Sequence, residues 1–179
     1  MQSNRTLIPQ QVLLLKHKPL VIQFVKANLP LFIQRYNAAF LESTSYVTKR
    51  QSIKVLREML LERQYYVLMT TYVEDADNLK LAMKLLRDER RMISYEAFHI
   101  FKVFVANPNK SVGVARILIA NREKLLRFLP GFLEDRPDDV QLADEKAYCI
   151  RQIENLVAVS PMHQRGPGMM NTGAGAVTA

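Results

Sequence analysis

An all-α architecture of stacked helices is what the sequence predicts, on three observations. Of the six glycines, only Gly113 and Gly131 precede residue 157. Hairpins need residues that tolerate positive φ and helix interiors do not, so this scarcity beside abundant Leu, Lys, Arg, Glu, Met and Gln points away from a loop-rich β-protein. Apolar residues recur at helical spacing along most of the chain, in segments joined by short polar connections. Finally, Ile53, Leu56 and Leu60 recur 45 residues later as Phe98, Phe101 and Val105, within the roughly 40–47-residue period of armadillo and HEAT repeats. An armadillo/HEAT-like helical-repeat solenoid is therefore favoured over a generic bundle, which any pair of core helices with matching apolar spacing would also satisfy.

Taken in order, Thr6 to His17 is a plausible helix with Pro9 in its first turn. Pro19 and Pro30 punctuate two shorter helices, roughly 19–28 and 30–42. Their expected buried faces are Leu20, Phe24 and Ala27 in the first and Leu31, Tyr36 and Phe40 in the second. Ser43-Thr44-Ser45 breaks the pattern, and a strongly basic amphipathic helix follows from Tyr46 to about Glu62, with Thr48 to Gln51 matching a capping box. Gln64 to Val73 is apolar and aromatic. Asp75 to Asn78 supplies capping side chains for a helix from Leu79 to about Arg87. Ile93 to Ala106 is apolar nearly all round, so it belongs at the centre, and it stops at Asn107-Pro108-Asn109. Helices over 112–120, 122–133 and 139–156 complete the series. The expected organisation is an atypical segment at 1–15, a helical-repeat domain at 16–156 and a disordered tail at 157–179, where four glycines and two prolines leave too little surface to bury.

Composition narrows the function. With one cysteine, Cys149, and no Cys/His cluster at metal-ligand spacing, neither an internal disulfide nor zinc is expected to support the fold. No apolar run reaches the ~18 residues that span a bilayer, and the first residues lack the order of a signal peptide, so no membrane span and a cytoplasmic location are expected. There is no phosphate-binding glycine loop, no nucleophile elbow and no His-Glu-x-x-His motif. No enzyme and no cofactor are therefore expected. His99 reads as a core histidine bonded to a neighbouring helix, and Cys149 as a buried apolar residue. The acidic clusters Glu74-Asp75-Asp77 and Glu134-Asp135-Asp138-Asp139 lack the glycine and closing glutamate of a calcium loop, and read as solvated helix N-termini.

What remains is charged surface. The net charge is +8, and residues 1–73 hold 10 Lys/Arg against 3 Asp/Glu, a local excess of +7. Such an excess suits nucleic acid, anionic lipid or an acidic protein surface. Tyr46, Arg50, Lys54 and Arg57 stand at spacings of four and three, which places them near one helical face. Spacing leaves a solvated face and a docking face equally open.

The stretch Tyr46-Val-Thr-Lys-Arg-Gln-Ser52, the pair Asn78-Leu-Lys80 and Leu85-Leu-Arg-Asp88, and above all Glu96-Ala-Phe-His-Ile-Phe-Lys-Val-Phe-Val-Ala-Asn-Pro-Asn-Lys110 resemble the Mo-twenty-five family, also called calcium-binding protein 39-like. Asp144-Glu-Lys146, Tyr148 and Gln152-Ile153 extend the likeness, which covers roughly residues 16–156 and the C-terminal half of a family about twice this length. A fragment, a shortened gene model or a truncated paralogue is thus expected, of fungal type. The resemblance implies a non-catalytic armadillo-like scaffold that binds and activates a Ste20-class protein kinase or pseudokinase in cell polarity and morphogenesis signalling. It also implies two contact regions. Tyr46, Arg50 and Lys54 match concave-face positions that engage the kinase-like domain. Arg63, Tyr66, Lys80 and Met83 match a pocket for a C-terminal Trp-Glu-Phe-type peptide, with Lys124 a further basic contact. Tyr66 stands where phenylalanine is expected and Ala120 where lysine is expected. Two other readings stay open: a basic helical-repeat module binding RNA or acidic lipid, with no nucleic acid expected under the leading one, and a shortened form limited to peptide capture.

Overall fold

Local sequence sets the helix boundaries, and the computed structural model describes them for residues 18–156. The expected helix at Thr6 to His17 and the expected tail at 157–179 lie outside those residues. Nine α-helices and no strand occur among the described residues: α1 (Lys18–Ala27), α2 (Leu29–Tyr36), α3 (Tyr46–Leu61), α4 (Tyr66–Glu74), α5 (Ala76–Leu86), α6 (Arg91–Ala106), α7 (Val112–Ala120), α8 (Arg122–Phe128) and α9 (Val140–Glu154). A π-turn at Asn37–Leu41 follows α2 and a 3-10 turn at Arg63–Tyr65 precedes α4.

The helices fall into three triplets, each made of two shorter helices and one long one. The long helices α3, α6 and α9 have 16, 16 and 15 residues and begin at Tyr46, Arg91 and Val140, so they repeat at intervals of 45 and 49 residues. This is the all-α helical-repeat architecture that the 45-residue echo predicts. All six residues of that echo are buried. Helix α6 lies between α3 and α9 and packs most extensively on α5 and α3. Its Phe98, Phe101 and Phe104 are fully enclosed; burying each such side chain contributes about 1.5–3 kcal/mol.

Caps explain several helix starts. Ser45 Oγ accepts from the Thr48 amide at 3.4 Å, so α3 is capped by Ser45 rather than by a box beginning at Thr48. Asp75 accepts from the Asp77 amide at 2.8 Å and thereby starts α5 at Ala76, so Asp77 and Asn78 are helical. Ser111 caps α7 through the Val114 amide at 3.2 Å and donates to the Glu74 carbonyl at 2.7 Å, joining two triplets. Asp139 caps α9 through the Leu142 amide at 3.0 Å. The acidic residues at these positions thus satisfy backbone donors. A partly buried polar network also ties the π-turn to α4 and α5. Asn37 Nδ2 donates to Asn78 Oδ1 at 2.7 Å, Tyr72 Oη to Asn37 Oδ1 at 3.3 Å, and Asn78 Nδ2 to the Tyr72 carbonyl at 3.0 Å.

Two expectations fail. In α1 and α2 the buried residues are Val21, Val25, Ile33 and Tyr36, whereas Leu20, Phe24 and Leu31 are 72%, 60% and 47% exposed and Ala27 is exposed too. Val21 and Val25 share the spacing of Leu20 and Phe24 but lie about 100° round the helix, and it is their side that meets α2 and α4. Helix α8 ends at Phe128 rather than 133. Leu129 keeps helical dihedrals, but Pro130 has no amide to continue the ladder, and the chain turns back through Leu133 at φ 53°. From α9, Lys146 Nζ holds this turn by donating to the Pro130 and Phe132 carbonyls at 3.0 and 2.7 Å.

Candidate functional site

Ion pairs cross both junctions between the long helices. Arg57 of α3 lies 3.3 Å from Glu96 of α6, and Lys102 of α6 lies 2.5 Å from Glu145 of α9. Arg57 and Lys102 are 45 positions apart, Glu96 and Glu145 are 49, so one cation–carboxylate pair recurs with the period of the helices themselves. His99, buried as expected, places Nδ1 3.2 Å from Glu145. Burial lowers the His99 pKa, and Lys102 and Arg57 act in the same direction against Glu145. For Glu145 burial acts upward, but the hydrogen bonds from Lys102 and Gln141 outweigh it and hold the carboxyl below its ordinary value. Cys149 is fully buried, and desolvation pushes its thiol up to about 12, which leaves no thiolate for nucleophilic chemistry.

Outside this junction, α3 presents Tyr46, Arg50 and Lys54 at successive helical turns, along a stripe flanking its buried Ile53, Leu56 and Leu60. Tyr46 is 38% exposed, Arg50 half-buried and Lys54 exposed. Arg57 departs from the expected surface, because Glu96 draws it into the α3–α6 junction. A residue that spacing does not reveal, Arg90, completes this surface: its guanidinium lies 5.7 Å from the Tyr46 ring centre and makes hydrogen bonds of 2.7 and 2.6 Å to the two oxygens of Asp88. Those bonds hold the Asp88 carboxyl below the usual carboxylate range. Arg50 and Lys54 form no ion pair among the described residues.

A cavity of about 800 Å³ opens between α5 and α8. Lys80, Met83 and Lys124, which lie 44 positions apart in sequence at the extremes, all line it. Met83, Leu86, Leu125 and Phe128 give it an apolar floor, and Lys84, Arg87 and Arg127 join Lys80 and Lys124 as cations around it. Helical periodicity brings them there. Lys80, Met83, Lys84 and Arg87 follow the i, i+3, i+4, i+7 rule, and Lys124, Arg127 and Phe128 follow i, i+3, i+4. Lys80 is held by Asp77 at 2.7 Å and Lys84 lies 3.5 Å from Glu42. Arg63 and Tyr66 are not among the described residues lining the cavity. Both are exposed, Arg63 in the 3-10 turn and Tyr66 at the start of α4, beside exposed Leu61 and Val67. Ala120 is exposed at the end of α7, next to the cavity-lining Asn121.

Among the described residues no group of three or more His, Cys, Asp or Glu side chains is arranged to hold a metal ion, and no helix is long and apolar enough to cross a membrane. Stacked triplets with a basic cavity between short helices define an all-α helical-repeat protein. The Mo25-like family model matches residues 6–157, and the chain belongs to that family. It is 59% identical over 144 residues to the conidiophore development protein hymA of Emericella nidulans, an alignment covering 80% of this chain and 38% of that protein. It is 47% identical over 149 residues to human calcium-binding protein 39-like, covering 83% of this chain and 44% of the relative. The Mo25-like protein of Schizosaccharomyces pombe is 49% identical over 144 residues, with 80% and 44% covered. The chain thus spans well under half the length of these curated relatives.

Proposed function

We propose that this chain is a non-catalytic scaffold that binds a Ste20-class protein kinase or pseudokinase in the cytoplasm and stabilises its active arrangement within a polarity or morphogenesis pathway. Tyr46, Arg50 and Lys54, with Arg90 beneath the ring, serve the folded kinase-like domain. The cavity between α5 and α8 takes the partner's C-terminal Trp-Glu-Phe-type peptide. Arg63 and Tyr66 serve as outlying contacts for the chain entering it. The name of the Emericella relative, a conidiophore development protein, agrees with a role in morphogenesis.

The observation that carries the reading is the convergence of Lys80, Met83 and Lys124 on one cavity with an apolar floor. Methionine and phenylalanine suit indole and phenyl groups, and the surrounding cations suit a glutamate and a terminal carboxylate. The test is a pull-down in two arms, one with the kinase domain and one with its C-terminal peptide. Arg50→Ala is expected to weaken the first arm and Met83→Ala the second, each by about 2 kcal/mol if its contact is central to the interface. Equal binding by wild type and both variants rejects these surfaces. Activation by the chain in a kinase assay separates a full scaffold from one limited to peptide capture.

A further inference from the structure

The cavity carries more positive charge than the peptide assigned to it can neutralise. Five cations surround it, and two already have acidic neighbours: Lys80 has Asp77 and Lys84 has Glu42. Arg87, Lys124 and Arg127 are exposed and have no acidic partner among the described residues. The dipole of α8 favours Arg127 in its last turn without giving it a partner, and it disfavours Lys124 in the first turn. A glutamate and a chain-terminal carboxylate bring two negative charges. Three uncommitted cations, two of them guanidinium forks, match a group with several acceptor oxygens held close together.

We propose that Arg87, Lys124 and Arg127 form a phosphate subsite at the mouth of this cavity, and that its ligand is a peptide carrying a phosphorylated serine or threonine beside the aromatic–acidic motif. The inference rests on the peptide reading given above. A phosphoryl group carries about −1.5 to −2 charge near neutrality and offers three acceptor oxygens, which is what one Lys and two Arg side chains require. The apolar floor of Met83, Leu86, Leu125 and Phe128 selects a peptide over a bare phosphate, because aromatic side chains gain from burial there and an ion does not. Phosphorylation of the partner would thus regulate its capture without changing this protein.

Fluorescence polarisation with the full 179-residue chain tests this. The probes are a peptide ending in Trp-Glu-Phe and four versions of it with phosphoserine at successive positions upstream of the tryptophan. Inorganic phosphate serves as competitor, and vesicles containing phosphatidylserine form a separate arm. At least one phosphopeptide is expected to bind about tenfold more tightly than the unphosphorylated peptide, the lower end of what a charge-assisted hydrogen bond contributes. In Arg87→Gln/Arg127→Gln, checked by circular dichroism for retained helix, the ratio of phosphorylated to unphosphorylated affinity is expected to fall to near one. If the unphosphorylated peptide binds and no phosphopeptide binds more tightly, the phosphate subsite is overturned while the peptide reading survives. If no peptide binds, both fall. A tenfold gain that persists in the double variant overturns the assigned residues, and binding to the vesicles alone overturns the proposal in favour of a membrane surface.

Discussion

Charge is used in two different ways at the junctions of the long helices and at the cavity between α5 and α8. Between α3, α6 and α9, each cation faces a carboxylate: Arg57 with Glu96, and Lys102 with Glu145. Around the cavity and along the outer face of α3, Arg50, Lys54, Arg87, Lys124 and Arg127 have no such partner among the described residues. Desolvation explains the division. A charge enclosed between helices must be paired or the fold loses several kcal/mol, whereas an exposed one is held by water and remains available to a partner. Pairs enclosed between the long helices therefore belong to the scaffold. Exposed cations, unpaired or paired only with a neighbour on their own surface as Lys80 and Arg90 are, belong to binding, and that difference makes their mutational effects separable.

The largest effect is expected at the paired end. Glu145→Ala leaves Lys102 and His99 facing each other without their carboxylate and is expected to cost about 2–3 kcal/mol, at or below the low end for a broken buried pair, because Glu145 retains some solvent contact. Urea denaturation followed by circular dichroism measures it; a loss below about 0.5 kcal/mol would show that the pair is not structural. Arg57→Ala is expected to cost less, about 1–2 kcal/mol, as it removes the more exposed partner and leaves Glu96 unpaired. Acid acts on the same junction. Because burial lowers the His99 pKa beneath its ordinary 6.5, the unfolded chain binds a proton that the folded one resists, so stability declines as pH falls below that value. Glu145, depressed below 4.5, contributes stability above that pH and loses it on further acidification through its folded value. Unfolding curves from pH 7.5 to 4 should therefore show a steady fall, and His99→Gln should flatten its upper part. The smallest effect on stability lies at the unpaired end: Arg87→Ala and Arg127→Ala are each expected to shift it by no more than ~0.5 kcal/mol while weakening peptide capture. A larger destabilisation would place those side chains with the scaffold and erase the contrast.

Helix α6 was legible in the sequence because its apolar run is continuous and Asn107-Pro108 stops it, leaving one reading. Helices α1 and α2 were not. Leu20–Phe24 and Val21–Val25 have identical spacing, and choosing between them requires knowing which neighbours pack there. Periodicity alone carries α8 to residue 133, whereas Pro130-Gly131 is the local signal that ends it near Phe128. At the candidate site, the resemblance drew attention to Lys80, Met83 and Lys124, but Arg87, Arg127 and Phe128 emerged only from the cavity. Their signal was present as two helical-spacing stripes, one on α5 and one on α8, yet nothing in a linear pattern says that the stripes face each other. The recurrence of the Arg57–Glu96 pair as Lys102–Glu145 was equally available at offsets of 45 and 49. Because the two offsets differ, the pair does not repeat at any single period.

The most direct measurement of the division between scaffold and binding charges is an amide chemical-shift titration of the isotope-labelled chain with a peptide ending in Trp-Glu-Phe. The account predicts saturable shifts concentrated at Lys80, Met83, Arg87, Lys124 and Phe128, with Glu96, Lys102 and Glu145 unmoved. Shifts confined to the α6–α9 junction, or an absence of shifts at millimolar peptide, would contradict it.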